Sequence, residues 1–126
     1  DLRDLIGRPH SDRATITVGP TDVVTTAHNR LRNAGFSQLP VMDEGRLVGV
    51  ITEDAIIQRV FGKPELMNAP VAEAMESAFI KLDRASSVNN LVAMLHVQPY
   101  AAIMDGDDFL GLITRSDVLN YLRRQI

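Results

Sequence analysis

The chain carries one pattern twice, and this internal repeat constrains its fold more than any single motif does. Residues 49–52 (Gly-Val-Ile-Thr) return as residues 111–114 (Gly-Leu-Ile-Thr), and residues 39–43 return in similar form as residues 101–105. The paired motifs lie 62 residues apart in a chain of 126 residues. Repeated units of this size bury their apolar faces against neighbouring units. The repeat therefore predicts two half-domains with clefts at their seam, which favours a binding module.

Composition excludes several classes of function. The formal charge is only −3 and no basic stripe is present, so we do not expect nucleic-acid binding. The absence of cysteine excludes disulfides and thiolate chemistry. No apolar run approaches the roughly 20 residues that span a bilayer, so we expect no membrane association and a cytoplasmic location. Because Asp1 rather than Met opens the chain, we expect a fragment of a longer protein.

Each copy of the repeat reads as a strand, a helix, two hairpin strands and a second helix. We predict an incoming linker over 1–13, a first repeat with its connector over 14–76, and a second repeat over 77–126. The strands are expected at 14–18, 38–42 and 47–52, and again at 79–82, 100–104 and 109–114. The helices are expected from residues 20–22 to 34, and at 54–61, 87–96 and 116–124.

This doubled order resembles a tandem pair of CBS domains, a Bateman module, over residues 14–124. The resemblance depends on Leu39-Pro40-Val41 and on the Gly-x-x-Thr that ends each hairpin. Residues 35–41 and the lead-in at 4–10 further resemble the C-terminal regulatory region of a bacterial cystathionine β-synthase, a pyridoxal-phosphate enzyme. The resemblance implies an α/β fold of two strand-helix-strand-strand-helix repeats, packed with pseudo-two-fold symmetry.

The same resemblance implies a regulatory function without catalysis. Such modules bind adenosyl compounds, here AMP, ATP or S-adenosylmethionine, in clefts between the repeats. Binding changes the activity of an attached domain, which would here be a cystathionine β-synthase of cysteine biosynthesis. We find no catalytic residues in this chain, and His10, His28 and His96 lack the spacing of a metal site.

The strongest local motif is Gly111-x-x-Thr114-x-x-Asp117. The Asp117 carboxylate could accept hydrogen bonds from both ribose hydroxyls, and the Thr114 hydroxyl could donate to a phosphate or carboxylate. The alternative is that Thr114 and Asp117 only cap the following helix. Arg115 could pair a phosphate or could be a solvated residue at the helix start.

The first copy departs from this motif because it reads Gly49-x-x-Thr52-x-x-Ala55. Its acids, Glu53 and Asp54, are displaced, and a shift of one residue turns a side chain by about 100° around a helix. We therefore expect one competent cleft, which uses Asp117, and one degenerate cleft with Thr52, Ala55, Tyr100 and Ala101. The alternative is that Asp54 compensates through a local rearrangement of the turn.

The resemblance also implies the residues on the adenine side of the competent cleft. Phe36, Ser37 and Gln38 would meet the base, while Ile16 and Ile113 would sandwich it. The alternative for Phe36 is core packing, the commoner position of such a residue. Ser37 stands where a site for S-adenosylmethionine would place an acid facing the sulfonium, which weakens the case for that ligand.

Apolar residues on the second helix of each repeat exceed what one core needs, and they predict a homodimer. These residues are Ile56, Ile57, Val60, Val118, Leu119 and Leu122. A second hypothesis follows from the incomplete first motif and from Ser37. The module would then bind no ligand and would serve only in dimerisation or docking.

Overall fold

The computed structural model describes residues 1–7 and 16–125. The chain divides into two compact units. The N-terminal unit is Ile16–Ala78, and the C-terminal unit combines Asp1–Thr15 with Phe79–Ile126. Within the described residues, no helix combines the length and the apolar character required to cross a bilayer.

The N-terminal unit packs two helices against a two-stranded sheet. Helix α1 spans Val24–Ala34, strand β1 spans Gln38–Asp43, β2 spans Arg46–Thr52, and α2 spans Glu53–Val60. The antiparallel strands are joined by a tight turn at Glu44 and Gly45, with φ of 50° and 79°. Positive φ at both central residues is what a type I′ hairpin turn requires. Two 3₁₀ helices, Pro64–Asn68 and Val71–Glu73, follow α2.

The C-terminal unit repeats this order with a three-stranded sheet. It contains β3 (Lys81–Asp83), α3 (Val88–Leu95), β4 (Tyr100–Asp105), β5 (Asp108–Thr114) and α4 (Arg115–Arg124). Strand β3 runs parallel to β4, and β4 runs antiparallel to β5. The predicted α/β fold class is confirmed: over the described residues, four α-helices and two small sheets form two repeats.

The beginning of the first repeat differs from the prediction. Instead of a strand over 14–18, Val18 forms a single parallel bridge with Val41, and residues 14 and 15 lie outside the described residues. Helix α1 begins at Val24, after a Val23 cap that makes no side-chain hydrogen bond. Asp22, which lies where the helix was expected to begin, uses its side-chain Oδ2 atom to accept the N–H of Gly19 at 2.8 Å. The Asp22 side chain therefore stabilises the turn before the helix and does not cap α1.

The incoming segment also differs from a linker over its described part. Leu2–Leu5 forms a 3₁₀ helix, and Leu2, Leu5 and Ile6 are buried in the core of the C-terminal unit. The Leu2 N–H donates to the Arg84 carbonyl at 2.9 Å, and the Arg84 guanidinium meets the Asp1 carboxylate at 2.7 Å. Residues 1–7 are therefore an integral part of the C-terminal unit, while residues 8–13 lie outside the described residues.

Candidate functional site

The Gly-x-x-Thr motif of the C-terminal unit ends in a reciprocal helix cap. Thr114 closes β5 and precedes α4, and its hydroxyl oxygen accepts the Asp117 N–H at 3.4 Å. The Asp117 Oδ2 atom accepts the Thr114 N–H at 2.9 Å and the Thr114 hydroxyl at 3.1 Å. This capping box satisfies free N–H groups at the helix start. The half-buried carboxylate therefore lies at the positive end of the α4 dipole.

The second oxygen of Asp117 lies against the backbone of the N-terminal segment. A Cβ built on Gly7 would stand 2.7 Å from Asp117 Oδ1, well inside ordinary van der Waals contact. Glycine permits this close approach because it has no side chain. Residue 7 therefore places no side chain over the carboxylate oxygen that the capping box does not use.

Arg115 has a partner that the sequence analysis missed. Its Nε and Nη2 atoms both donate to the Leu95 carbonyl, at 2.9 and 2.7 Å. That carbonyl belongs to the last turn of α3, where unpaired carbonyls carry partial negative charge. The arginine therefore ties the start of α4 to the end of α3. It is not the simply solvated residue that we considered, and a phosphate would have to compete with this bond.

In the first copy of the motif, Thr52 caps helix α2 and also bonds to a carboxylate that is distant in the sequence. The Thr52 hydroxyl accepts the Ala55 N–H at 2.9 Å and donates to Glu76 Oε1 at 3.3 Å. Asp54, which the alternative interpretation would have placed in the cleft, is exposed and accepts a hydrogen bond from the Gln58 amide at 2.9 Å. The carboxylate that lies beside the Thr52 hydroxyl is therefore that of Glu76, 24 residues further along the chain.

The backbone of Glu76 is held firmly on β2. Glu76 and Val50 exchange two backbone hydrogen bonds, at 2.8 and 2.9 Å. The segment also packs closely on Gly49, where an added Cβ would lie 2.5 Å from the Met75 sulfur and 3.0 Å from the Glu76 carbonyl oxygen. The amino-acid sequence does not indicate the pairing of Glu76 with Val50. The segment around Glu76 has no apolar periodicity that would predict a partner for strand β2.

The residues predicted to contact the adenine lie in different units: four belong to the N-terminal unit and Ile113 belongs to the C-terminal unit. In the N-terminal unit, Ile16 and Phe36 pack half-buried against the core, which agrees with the core alternative for Phe36. Ser37 is exposed, and its carbonyl accepts the Glu53 N–H at 3.0 Å. Gln38 lies opposite Thr52 in the β1–β2 register. Ser37 and Gln38 are therefore brought beside the first Gly-x-x-Thr motif.

The remaining predicted residues lie in the sheet of the C-terminal unit. Tyr100 lies opposite Thr114, and Ala101 lies opposite Ile113. Tyr100, Ala101 and Ile113 are all buried, and Ile113 belongs to the hydrophobic core. In this structure Ile113 therefore contributes to packing rather than to an exposed surface.

The part of the chain that the structure describes contains no group of three or more His, Cys, Asp or Glu residues that could hold a metal ion. His28 lies on α1, His96 follows α3, and His10 lies outside the described residues.

The apolar residues predicted to form a dimer are split between core and surface. Ile56 and Val118 are buried and Val60 is half-buried, so these three stabilise the units themselves. Ile57, Leu119 and Leu122 are exposed, and Phe61, which the sequence analysis did not select, is 85% exposed.

Comparisons with known proteins agree on one family. The family model described as CBS domain matches twice, at residues 3–62 and 68–124. Cystathionine beta-synthase of Dictyostelium discoideum is 24% identical over 86% of the chain, which spans only 23% of that protein. A CBS domain-containing protein of unknown function from Bacillus anthracis has the same fold, with a TM-score of 0.85 and 21% identity over 99% of this chain and 94% of the other.

A further structure, protein MJ1225 of Methanocaldococcus jannaschii, is described as a putative archaeal homolog of g-AMPK. Its TM-score is 0.82 at 24% identity, over 96% of this chain and 47% of that one. At these identities the structural likeness shows the fold alone.

Proposed function

The chain belongs to the CBS-domain family and carries two copies of the domain in tandem, and from this premise we propose that it is a regulatory module that binds an adenosyl ligand. The observation that carries the proposal is the Thr114–Asp117 pair at the start of α4. One carboxylate oxygen holds the capping box, and the other lies beside a residue without a side chain. A carboxylate in such a position suits the two hydroxyls of a ribose.

The proposed roles follow from the chemistry of each group. Asp117 accepts hydrogen bonds from the ribose, and Thr114 with the nearby N–H groups of α4 faces the phosphate or carboxylate tail. Phe36, Ser37 and Gln38 remain the proposed contacts to the base. Since Ser37 offers no negative charge to a sulfonium, AMP and ATP are favoured over S-adenosylmethionine.

The proposed regulation is a population shift in a larger protein. A ligand changes such an equilibrium only through its different affinities for two states of the module. The likeness to a cystathionine beta-synthase, of which this chain spans 23%, supports a catalytic domain of that type as the regulated partner. In this proposal the chain itself performs no catalysis.

A ligand screen with matched variants tests the proposal. Thermal shift and calorimetry would cover AMP, ADP, ATP, S-adenosylmethionine and S-adenosylhomocysteine. A ligand at a hundred times its dissociation constant adds about 2.7 kcal/mol of stability. We expect Asp117→Asn, which keeps an oxygen for the cap, to weaken binding roughly tenfold or more. Asp54→Asn, a change at an exposed acid of α2, is the control and should bind normally.

Exposed apolar side chains support a second candidate function, a docking or dimerisation module without ligand. Ile57, Phe61, Leu119 and Leu122 would all leave water in a helix-mediated homodimer. Light scattering of the wild type and of Phe61→Ser tests this function. A dimer that dissociates in the variant, together with no response to any of the five ligands, would favour docking over ligand sensing.

A further inference from the structure

We infer that residues 1–7 form an inhibitory strap on the Asp117 carboxylate, and that a ligand reaches Asp117 only by lifting the end of this strap, residues 6 and 7. The inference rests on the proposed function, because it concerns access to the carboxylate that is proposed to bind the ribose. It adds a regulatory element to that function: docking of the strap and binding of the ligand oppose each other within the C-terminal unit.

Gly7 occupies space beside Asp117 that a ribose hydroxyl needs. Each carboxylate oxygen offers about two acceptor positions, and Oδ2 already accepts the N–H and the hydroxyl of Thr114. Both hydroxyls of a ribose therefore depend on Oδ1, and each would stand about 2.7 Å from it. A Cβ on Gly7 would also stand 2.7 Å from Oδ1, and the Gly7 Cα lies one carbon–carbon bond, about 1.5 Å, beyond that point. One of the two approaches to Oδ1 is therefore filled by the backbone of residue 7.

The beginning of the strap is anchored differently from its end. Leu2 is fully buried, its N–H donates to the Arg84 carbonyl at 2.9 Å, and the Arg84 guanidinium bonds to the Asp1 carboxylate at 2.7 Å. The end leaves the 3₁₀ helix in an extended conformation, with φ of −68° and ψ of 118° at Ile6. Ile6 is 9% exposed, against 0% for Leu2 and 3% for Leu5. Lifting the end therefore costs the burial of Ile6 alone, whereas lifting the whole strap would cost that of three apolar side chains.

The strap makes the affinity of the module depend on a contact that the ligand does not make. When a site is open in only a fraction of the molecules, the apparent affinity falls by that fraction. The coupling is reciprocal, so a ligand that requires the open site also weakens the docking of the strap. Ile6 is the side chain that sets this fraction, because its burial holds Gly7 beside Asp117. Weakening the anchor at Ile6 should therefore strengthen ligand binding, although it removes a packing contact.

Titration calorimetry of the whole chain with AMP tests the inference. We expect Ile6→Ala to bind AMP at least about fivefold more tightly than the wild type, because more molecules have the site open. Leu82→Ala is the matched control, since Leu82 belongs to the same core cluster and is also 9% exposed. It should bind AMP as the wild type does. In the wild type, AMP should speed amide hydrogen exchange at Ile6 and Gly7 and leave exchange at Leu2 unchanged.

Each result supports or overturns the inference. Equal affinities of the wild type and Ile6→Ala for AMP, or slower exchange at Gly7 with AMP, overturn it and leave the proposed function intact. An equal gain in Leu82→Ala also overturns it, because general loosening of the core would then explain the gain. Binding of AMP by Ile6→Ala and not by the wild type supports it, because the docked strap would then close the site. No binding of AMP or of the other four adenosyl compounds by either protein overturns both proposals. If Ile6→Ala fails to fold, the exchange measurement on the wild type decides.

Discussion

The contact of Gly7 with Asp117 makes a quantitative prediction about stability. Gly7 does not have the left-handed backbone conformation, so Gly7→Ala introduces no strain in φ. The new Cβ would, however, stand 2.7 Å from Asp117 Oδ1, where ordinary contact begins at 3.4 Å. Either the carboxylate or the N-terminal segment must therefore move by several tenths of an ångström.

The cost of that movement follows from what holds the carboxylate. Rotating Asp117 away strains its rotamer by about 0.5–1.5 kcal/mol and weakens a helix cap worth about 1 kcal/mol. We therefore expect Gly7→Ala to lower the free energy of unfolding by about 1–2 kcal/mol. In an Asp117→Ala background the obstructing oxygen is absent. The same change should then be neutral, or should stabilise by about 0.4–1 kcal/mol through the reduced entropy of the unfolded chain.

Equilibrium urea denaturation of the four proteins in this double-mutant cycle measures the coupling directly. We expect a coupling of about 2 kcal/mol, with the double variant more stable than the sum of the single changes predicts. Gly19→Ala is the control, because its nearest neighbour would be Asp22 Oδ2 at an ordinary 3.6 Å. It should show no coupling to Asp117. Additivity within about 0.5 kcal/mol for Gly7→Ala would refute the packing of the N-terminal segment on this carboxylate.

Three further changes test other parts of the structure by the same denaturation assay. Leu2→Ala should lower the free energy of unfolding by about 2–5 kcal/mol, because Leu2 is fully buried. The control, Arg3→Ala at an exposed neighbour, should change it by no more than about 0.5 kcal/mol. Equally small effects of both changes would show that the segment does not belong to the core. Gly35→Ala should cost about 1–2 kcal/mol because residue 35 has φ of 71°, although open space surrounds it, and a neutral result would contradict that conformation. Thr52→Val should lower the free energy of unfolding by about 1 kcal/mol, because it removes the side-chain cap on the Ala55 N–H. It should also speed amide hydrogen exchange in the first turn of α2. Unchanged exchange would argue against the cap.

Much of the fold was predictable from residues close together in the sequence. The prediction failed where a residue bonds or packs in a way that its sequence neighbours do not indicate. The end of α1 was predictable because Gly35 adopts the left-handed conformation that glycine favours. The start of α1 was not, because Asp22 has the correct side chain for a cap but uses it on Gly19. The linker prediction followed the charges of the first residues and missed that Leu2 and Leu5 are buried in the core.

The candidate site shows the same division. The spacing of Thr114 and Asp117 indicated the helix cap, because the partners are three residues apart. The bonds of Arg115 to Leu95 and of Thr52 to Glu76 span 20 and 24 residues. Such bonds depend on tertiary structure, and nothing in residue type or spacing distinguishes these partners from other carbonyls and acids.

The inclusion of residues 1–7 in the C-terminal unit has a consequence for synthesis on the ribosome. The N-terminal unit is one continuous segment, so it can complete its core as soon as Ala78 has emerged. The C-terminal unit is discontinuous, and the bond from Arg84 to Asp1 joins residues 83 positions apart. Leu2, Leu5 and Ile6 emerge before the N-terminal unit but find their partners only after it, so they stay exposed to chaperones and to premature association throughout translation of the first repeat. Slower codons within that repeat would lengthen this exposure, and a permuted chain that places residues 1–7 after α4 would abolish it.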